Sequence, residues 1–368
     1  MNIKDFVRKI NTRDSKLFED DFKNQENDCF RKSESDVNLI ADFTEYSPLH
    51  NGHFHCMKTA KSLNPDSLFV AVVPGLFERS GRGLPYILPR EKRAEIAISV
   101  GADIVVEGPP MGIMGSGQYS LSLAKMFKAL NTDVIPRGYN PTPGFGNVLK
   151  AIEAGHGVAP KPYKIVDMKT REVLMNDKLA EDNYVIASLS KSLTKIGFDF
   201  KDRFLFVERI TGVSGSAIRQ AITQNSFGDV EGMMPAETIE ILKQEISANR
   251  APLHELRHDE KIIENANQLS FEELKNLNLF TEQLAWKFVN NRPFSTVEEV
   301  YDNLLQGFSK FYKTRILSVL EANVSKEVVS SYIDYYPSVI RVLDYKDKNS
   351  LEKFKEKTNN TNVVLFSH

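Results

Sequence analysis

Apolar positions in this chain fall into three successive patterns. Residues 1–36 are polar and mixed in charge, with Phe6, Ile10, Phe18, Phe22 and Phe30 scattered among them. Such a segment forms helices that dock on a larger body or stays partly loose, and its pattern leaves both open. From 37 to about 225, short continuous apolar runs alternate with stretches of helical period. The runs 37–43, 68–73, 103–107, 133–136 and 204–207 have the length of buried strands, and two of them stop at Pro74-Gly75 and Gly108-Pro109-Pro110. Between them, His55, Met57, Ala60 and Leu63 recur at helical spacing, and 90–100 and 118–130 also read as helices. Strands alternating with helices predict a parallel sheet. Beyond 226 the period is helical, over 239–246, 271–279, 297–305 and 315–322. Two strands, 338–343 and 362–366, flank a Lys/Glu-rich helix at the close. No internal repeat is visible. The expected fold class is α/β: a polar leader (1–36), a Rossmann-like parallel-sheet domain (37–225) and a mainly helical C-terminal domain (226–368) ending in a small β-α-β element.

Composition narrows the setting without naming a chemistry. At 368 residues the chain is long enough for two domains. A net charge of −2 supplies no global attraction to nucleic acid or an anionic membrane. Cys29 and Cys56 are the two cysteines, which implies neither a disulfide framework nor a thiolate zinc site. No apolar run approaches the roughly 18 residues of a membrane helix, and the N-terminus is not signal-like. A cytoplasmic protein with no membrane partner is expected.

The chemistry is concentrated where the first strand gives way to the first helix of the sheet domain. There stands His50-Asn51-Gly52-His53, preceded by the turn Glu45-Tyr46-Ser47-Pro48-Leu49. The carboxyl end of a parallel strand is where α/β sheets bind ligands. Two imidazoles at a helix N-terminus can stabilise charge developing on phosphate oxygens, and Gly52 lets the backbone come close to a ligand. Four residues alone also suit a metal pair or an ordinary polar helix start. A second motif shifts the balance toward phosphate. Gly212-Val213-Ser214-Gly215-Ser216-Ala217-Ile218-Arg219 is a hydroxyl-rich turn opening a helix, with an arginine one turn in. Its backbone N–H groups, Ser214 and Ser216 can cradle an anion and Arg219 can grip it bidentately, although Ser214 also fits a plain N-cap. His50, His53 and Arg219 are the catalytic candidates; no metal-ligand set is expected.

The segment 45–53 resembles the opening signature of the HIGH-type nucleotidyltransferase superfamily and, more narrowly, the tRNA(Met) cytidine acetate ligase family. The likeness continues through 73–81, 93–97, 101–107, 117–120 and 340–343. It implies an ATP-dependent enzyme that cleaves between the α and β phosphates with Mg²⁺, activates acetate as acetyl-adenylate and passes the acetyl group to a tRNA cytidine. It further implies nucleotide contacts from Phe43, Thr44, Glu45, Tyr46, Ser47, Pro48, Asn51 and Gly52, and from Gly138, Asn183 and Arg209. ATP, a small acceptor and a tRNA are the implied partners. Two alternatives stay open: an adenylyl- or cytidylyltransferase acting on a phosphorylated cofactor precursor, and a nucleotide-binding regulator without turnover. The intact motifs argue against the last.

Other residues admit weaker expectations. Arg79 and Arg82 lie in a Gly-rich loop suited to an acceptor anion or to solvent. Arg90, Lys92 and Arg93 open a helix against its dipole, which indicates a nearby anion or a solvated face. Gln118 is a possible substrate contact, His55 a bystander, and Trp286 a core residue. The Gly/Pro-rich stretch 141–162 reads as a loop over the site. Acidic residues slightly outnumber basic ones beyond 251, so RNA binding would need a local stripe, for which Lys287, Arg292, Lys310, Lys313 and Arg315 are the candidates.

Overall fold

A computed structural model describes residues 3–23, 35–77, 86–224, 226–253, 256–359 and 362–366. Its strands are β1 (Leu39–Phe43), β2 (Leu68–Pro74), β3 (Ile104–Gly108), β4 (Ile135–Tyr139), β5 (Val158–Lys161), β6 (Lys164–Asp167), β7 (Val173–Met175), β8 (Phe204–Glu208), β9 (Ile340–Tyr345) and β10 (Val363–Leu365). Every residue of β1, β2 and β3 is buried, which is why they appear in the sequence as runs that are apolar except at Asp42 and Glu107 rather than as alternating ones. These three strands pair in parallel, with Leu39 opposite Leu68 and Val70 opposite Ile104. β4 and β8 form a second parallel pair. A bridge between Ile40 and Val134, with the Ala41 N–H donating to the Val134 carbonyl at 3.0 Å, attaches that pair beside β1.

Read across that bridge, the strand order is β8-β4-β1-β2-β3-β9-β10. The chain leaves β1 toward β2 on one side and returns after β3 to β4 on the other. The winding therefore reverses between β1 and β4, the place where open α/β sheets receive ligands. The closing β-α-β element belongs to this sheet: β9 lies antiparallel to β3, with Val105 opposite Asp344, and β10 is parallel to β9. The helical segments share its core, so that Leu284, Phe288 and Ile316 are buried in one cluster with Val70, Leu123 and Phe127. The helix Lys310–Ala322 packs on the turn Met111–Ile113 after β3, which brings it to the carboxyl end of the sheet.

Several segments depart from expectation. The stretch 141–162 is not an open loop: it holds the helix Phe145–Glu153 and β5, which pairs with β6 at the edge of a small antiparallel sheet ordered β5-β6-β7. Phe145, Val148 and Ile152 turn its apolar face inward. Trp286 is not in the core; it is 51% exposed and leans on the Phe271 ring at 4.6 Å. In the leader, the helix Ile3–Lys23 docks on the body. Its Phe18 stacks on Tyr332 at 4.9 Å, and Val7 and Ile10 pack with Leu253. Arg79, Arg82, Cys29 and Phe30 lie outside the described residues.

Arg90 and Arg93, at the start of the helix Arg90–Ser99, are wholly buried. The anion that their position indicates is made of protein carboxylates. Arg90 meets Asp14 at 2.9 Å and Glu107 at 3.0 Å. Arg341 on β9 pairs with the same Glu107 and with Asp21 of the leader helix at 2.6 Å. Burial opposes the Glu107 charge, but Arg90 and Arg341 outweigh it and hold its pKa below the usual range. Burial prevails at Asp21, pushing it to about 6. Arg93 instead satisfies backbone acceptors, donating to the carbonyls of Leu88 (3.1 Å), Glu45 (2.9 Å) and Pro74 (2.8 Å).

Removing one member of a buried ion cluster leaves its partners uncompensated, at a cost on the order of 3–5 kcal/mol. Glu107→Gln is therefore expected to destabilise the protein by about that amount, read as a lowered urea midpoint at unchanged m-value. A midpoint equal to wild type would show that the cluster holds nothing together.

Candidate active site

After β1 the chain turns through 44–49 into the helix Asn51–Leu63, whose N-cap is His50 in extended conformation (φ −129°, ψ 170°). The His50 Nδ1 accepts the Gly52 N–H at 3.1 Å, and the His53 Nδ1 accepts the His50 N–H at 3.3 Å. This is a reciprocal capping box in which imidazoles take the parts usually played by a hydroxyl and a carboxylate. It has a chemical consequence. With both Nδ1 atoms accepting, the neutral rings carry their protons on Nε2, a tautomer assigned from the hydrogen-bond network. The rings stack at 3.7 Å and 19°, and both line a cavity of about 570 Å³. That volume lies in the range of small-molecule sites. A Cβ on Gly52 would stand 3.1 Å from the His50 ring, so the motif glycine makes room for the histidine cap itself.

His50 is 6% exposed. Burial first, then the charges of Arg209 and Arg219, lower its pKa to about 4. It therefore stands neutral at pH 7, as an N–H donor with no charge of its own.

The second motif closes the same cavity. Ser214 caps the helix Gly215–Thr223, accepting the Ala217 N–H at 3.3 Å, and Ser214, Gly215 and Ser216 line the wall. A Cβ on Gly215 would lie 3.5 Å from the His50 Nε2, so the two motifs touch here. Arg219 joins them, donating to the Ser47 carbonyl at 3.0 Å and to the Ser216 hydroxyl at 3.1 Å. At the ends of β4 and β8 stand Gly138 and Arg209, both on the cavity wall, with Arg209 paired to Asp182.

Of the residues expected from the sequence, the fold brings Phe43, Thr44, Glu45, Ser47, Pro48, His50, Gly52, His53, Gly138, Arg209, Ser214, Ser216 and Arg219 to one cavity. Tyr46, Asn51 and Asn183 stand back from its wall. Tyr46 is fully buried and meets the His53 ring edge-on at 5.4 Å. The Asn51 amide donates to the Gly232 carbonyl at 3.0 Å. Asn183, also fully buried, exchanges hydrogen bonds of 3.0 and 2.9 Å with the backbone of Asn140 and so fixes the turn after β4.

Sequence reasoning missed Asp42 and Arg137. Arg137 reaches the Asp42 carboxylate at 3.0 Å and the Phe43 carbonyl at 2.6 Å, bracing the end of β1 from β4. Burial, only partly offset by Arg137, pushes Asp42 to about 6. It also missed the far wall, formed by Met111, Ser116, Tyr119, Ser309, Phe311, Tyr312 and Arg315. No motif spacing marks these, although the position of Arg137 at a strand's carboxyl end was a usable signal. Gln118 is a structural residue: its side chain accepts the Gly115 N–H at 2.8 Å and meets Asn278. The five basic residues of the suggested stripe part company. Arg292 donates to the Ala266 and Leu269 carbonyls, Lys313 covers the Tyr301 ring, and Arg315 turns into the cavity. Among the described residues no helix is long and apolar enough to cross a membrane.

Residues 37–133 match the HIGH Nucleotidyl Transferase family, and residues 140–344 match the cytidyltransferase-related C-terminal region. An uncharacterized protein of Methanocaldococcus jannaschii is 42% identical over 94% of this chain and 98% of its own length. The tRNA(Met) cytidine acetate ligase of Fervidobacterium nodosum is 27% identical over 90% of this chain and 84% of that protein. For the ligase of the same name from Kosmotoga olearia the figures are 25%, 87% and 84%. Among solved structures, Thermotoga maritima TmcAL bound with alpha-thio ATP superposes with a TM-score of 0.71 at 20% identity, covering 90% of this chain and 85% of that one.

The state of His50 is directly testable. Its folded pKa of about 4 lies below the ordinary 6.5, so the unfolded chain binds the extra proton between these values. Its contribution to stability is thus complete above pH 6.5 and is lost as pH falls toward 4, by roughly 3 kcal/mol at most. In an NMR titration of the ligand-free protein the His50 ring is expected to stay neutral down to about pH 5. A midpoint near 6.5 would contradict the buried, arginine-flanked setting.

Proposed function

The chain belongs to the HIGH nucleotidyl transferase family, an enzyme family, and on that premise we propose that it attacks the α-phosphorus of ATP with a small carboxylate. The carboxylate oxygen forms the new bond to phosphorus, the bond to the bridging oxygen breaks, and pyrophosphate leaves. An acyl-adenylate remains. Acetate is the carboxylate suggested by the names of the ligase relatives. In the second half-reaction the amine of a tRNA cytidine attacks the acyl carbon, and AMP departs with the electron pair.

One observation carries this reading: the reciprocal cap that commits both Nδ1 atoms and sets two stacked imidazoles on the cavity wall at the switch point of the sheet. Imidazoles held in place by backbone hydrogen bonds need no reorganisation as charge grows on the α-phosphate oxygens. Arg219, fixed across the two motifs, and the Ser-Gly-Ser turn suit the β- and γ-phosphates. The nucleotide is taken as its magnesium complex, in which phosphate oxygens and water supply most ligands. Of the carboxylates that line the cavity, Asp42 and Asp182 are already engaged by Arg137 and Arg209. A tRNA substrate would put the enzyme in the cytoplasm.

A second reading keeps the first chemistry but ends in transfer of the nucleotidyl group to a phosphorylated small molecule. The match of 140–344 to a cytidyltransferase-related region favours it.

Acetate-dependent exchange of labelled pyrophosphate into ATP, without RNA, separates the two. The wild type is expected to exchange only when acetate is present. His53→Ala should lower the rate by roughly 10²–10³, the usual effect of losing one preorganised donor. Nucleotide binding without exchange for acetate or other short carboxylates would sink the ligase reading in favour of the phosphorylated acceptor.

A further inference from the structure

The far wall of the cavity holds a charge that the protein itself does not answer. Arg315 lies one turn inside the helix Lys310–Ala322, is only 9% exposed and lines the cavity. Its Nε is buried without a hydrogen-bond partner, and among the described residues no carboxylate or carbonyl engages its fork. What it does touch is the face of Tyr119, 5.4 Å from guanidinium to ring centre. Every other arginine on this cavity is held by an acceptor: Arg137 by Asp42, Arg209 by Asp182 and Arg219 by the Ser47 carbonyl. A buried guanidinium without an anion is costly, and stacking on a ring offsets only part of that cost.

The surroundings indicate what completes it. Side chains on a helix lean toward its N-terminus, so Arg315 extends toward the helix start, where Ser309, Phe311 and Tyr312 also line the cavity. The Ser309 hydroxyl is occupied as the cap, accepting the Tyr312 N–H at 3.2 Å, and the Tyr312 hydroxyl donates to the Leu279 carbonyl at 3.2 Å. That leaves the arginine fork and the partly positive helix end facing a wall of Tyr119, Phe311 and Met111. A charged fork beside an apolar wall fits a small amphipathic anion rather than a polyphosphate.

We propose that Arg315 anchors the anionic group of the second substrate, a carboxylate or a phosphate monoester, with the rest of that molecule lying against Tyr119, Phe311 and Met111. This rests on the nucleotidyl-transfer reading of the same cavity, and it assigns the acceptor to the part of the wall supplied by the helix Lys310–Ala322. The helical region then contributes a substrate contact rather than only packing.

The test is an NMR titration of acetate, and separately of inorganic phosphate, into protein saturated with a non-hydrolysable ATP analogue. It is run on wild type, Arg315→Leu and Arg315→Lys. At least one anion should bind the wild type, and Arg315→Leu should weaken it tenfold or more while the analogue's affinity stays within twofold. Arg315→Lys should recover part of the loss, since it keeps the charge without the fork. The melting temperature of Arg315→Leu should equal or exceed that of wild type, because an uncompensated buried charge has gone. Acetate alone binding identifies a carboxylate acceptor, and phosphate alone a phosphorylated one. Unchanged anion binding in Arg315→Leu, or no anion binding to the loaded wild type, would overturn the proposal. The analogue's own affinity, measured first, reports on the nucleotide reading separately; if it does not bind, the same Arg315 dependence is read in nucleotide-free protein.

Discussion

The Glu107 carboxylate is the point on which the architecture hangs. It ends β3, in the middle of the sheet, and receives Arg90 from the helix after β2 and Arg341 from β9. Asp14 and Asp21 on the leader helix complete the set from the other end of the chain. Charges buried this deeply are tolerable only together, so the leader, the sheet and the closing strand are obliged to meet at one place. The space is tight: a Cβ on Gly75 would fall 2.1 Å from the Glu107 Oε1, so that position must be glycine. The turn before His50 inherits this anchorage. The helix fixed by Arg90 also carries Arg93, whose guanidinium holds the carbonyls of Glu45 and Pro74 and thereby sets the turn leading to His50.

At His50 and His53 local structure and chemistry use different atoms of the same rings. One nitrogen of each imidazole satisfies a backbone N–H that would otherwise be an orphan at the helix start; at His50 the other carries the proton beside Gly215 of the second motif. The cap thus selects the tautomer, and burial beside two arginines removes the option of a charged ring at His50. At His50, ring direction and charge state are both fixed before any ligand arrives, the condition under which electrostatic stabilisation is most effective.

The arginines of the cavity divide by the same logic. Arg137, Arg209 and Arg219 are each held by a protein acceptor and brace strand ends or motifs against one another. Arg315 is held by none among the described residues, and it comes from a helix that belongs to the sheet domain neither by sequence nor by pattern. The cavity is therefore composite, with one wall built by the strand-helix units and the other by the helical region.

The sequence by itself determined the parallel core, because β1, β2 and β3 are buried on both faces and so are apolar except at Asp42 and Glu107, which arginines answer. It also determined the two capped turns at 50–53 and 214–219, whose geometry depends on residues adjacent in the chain. It misled at 141–162, where glycine and proline at the ends of a short amphipathic helix look like loop, and at Trp286, whose apolar neighbours are core while it is not. Only the tertiary structure decided that β9 enters the sheet beside β3, that Arg90 finds Asp14 and Glu107 rather than solvent, and that Arg315 faces the cavity. The reason is physical: burial period and caps are written over a few consecutive residues, whereas a strand's partner and a buried charge's counter-ion come from remote segments and leave no local spacing to read.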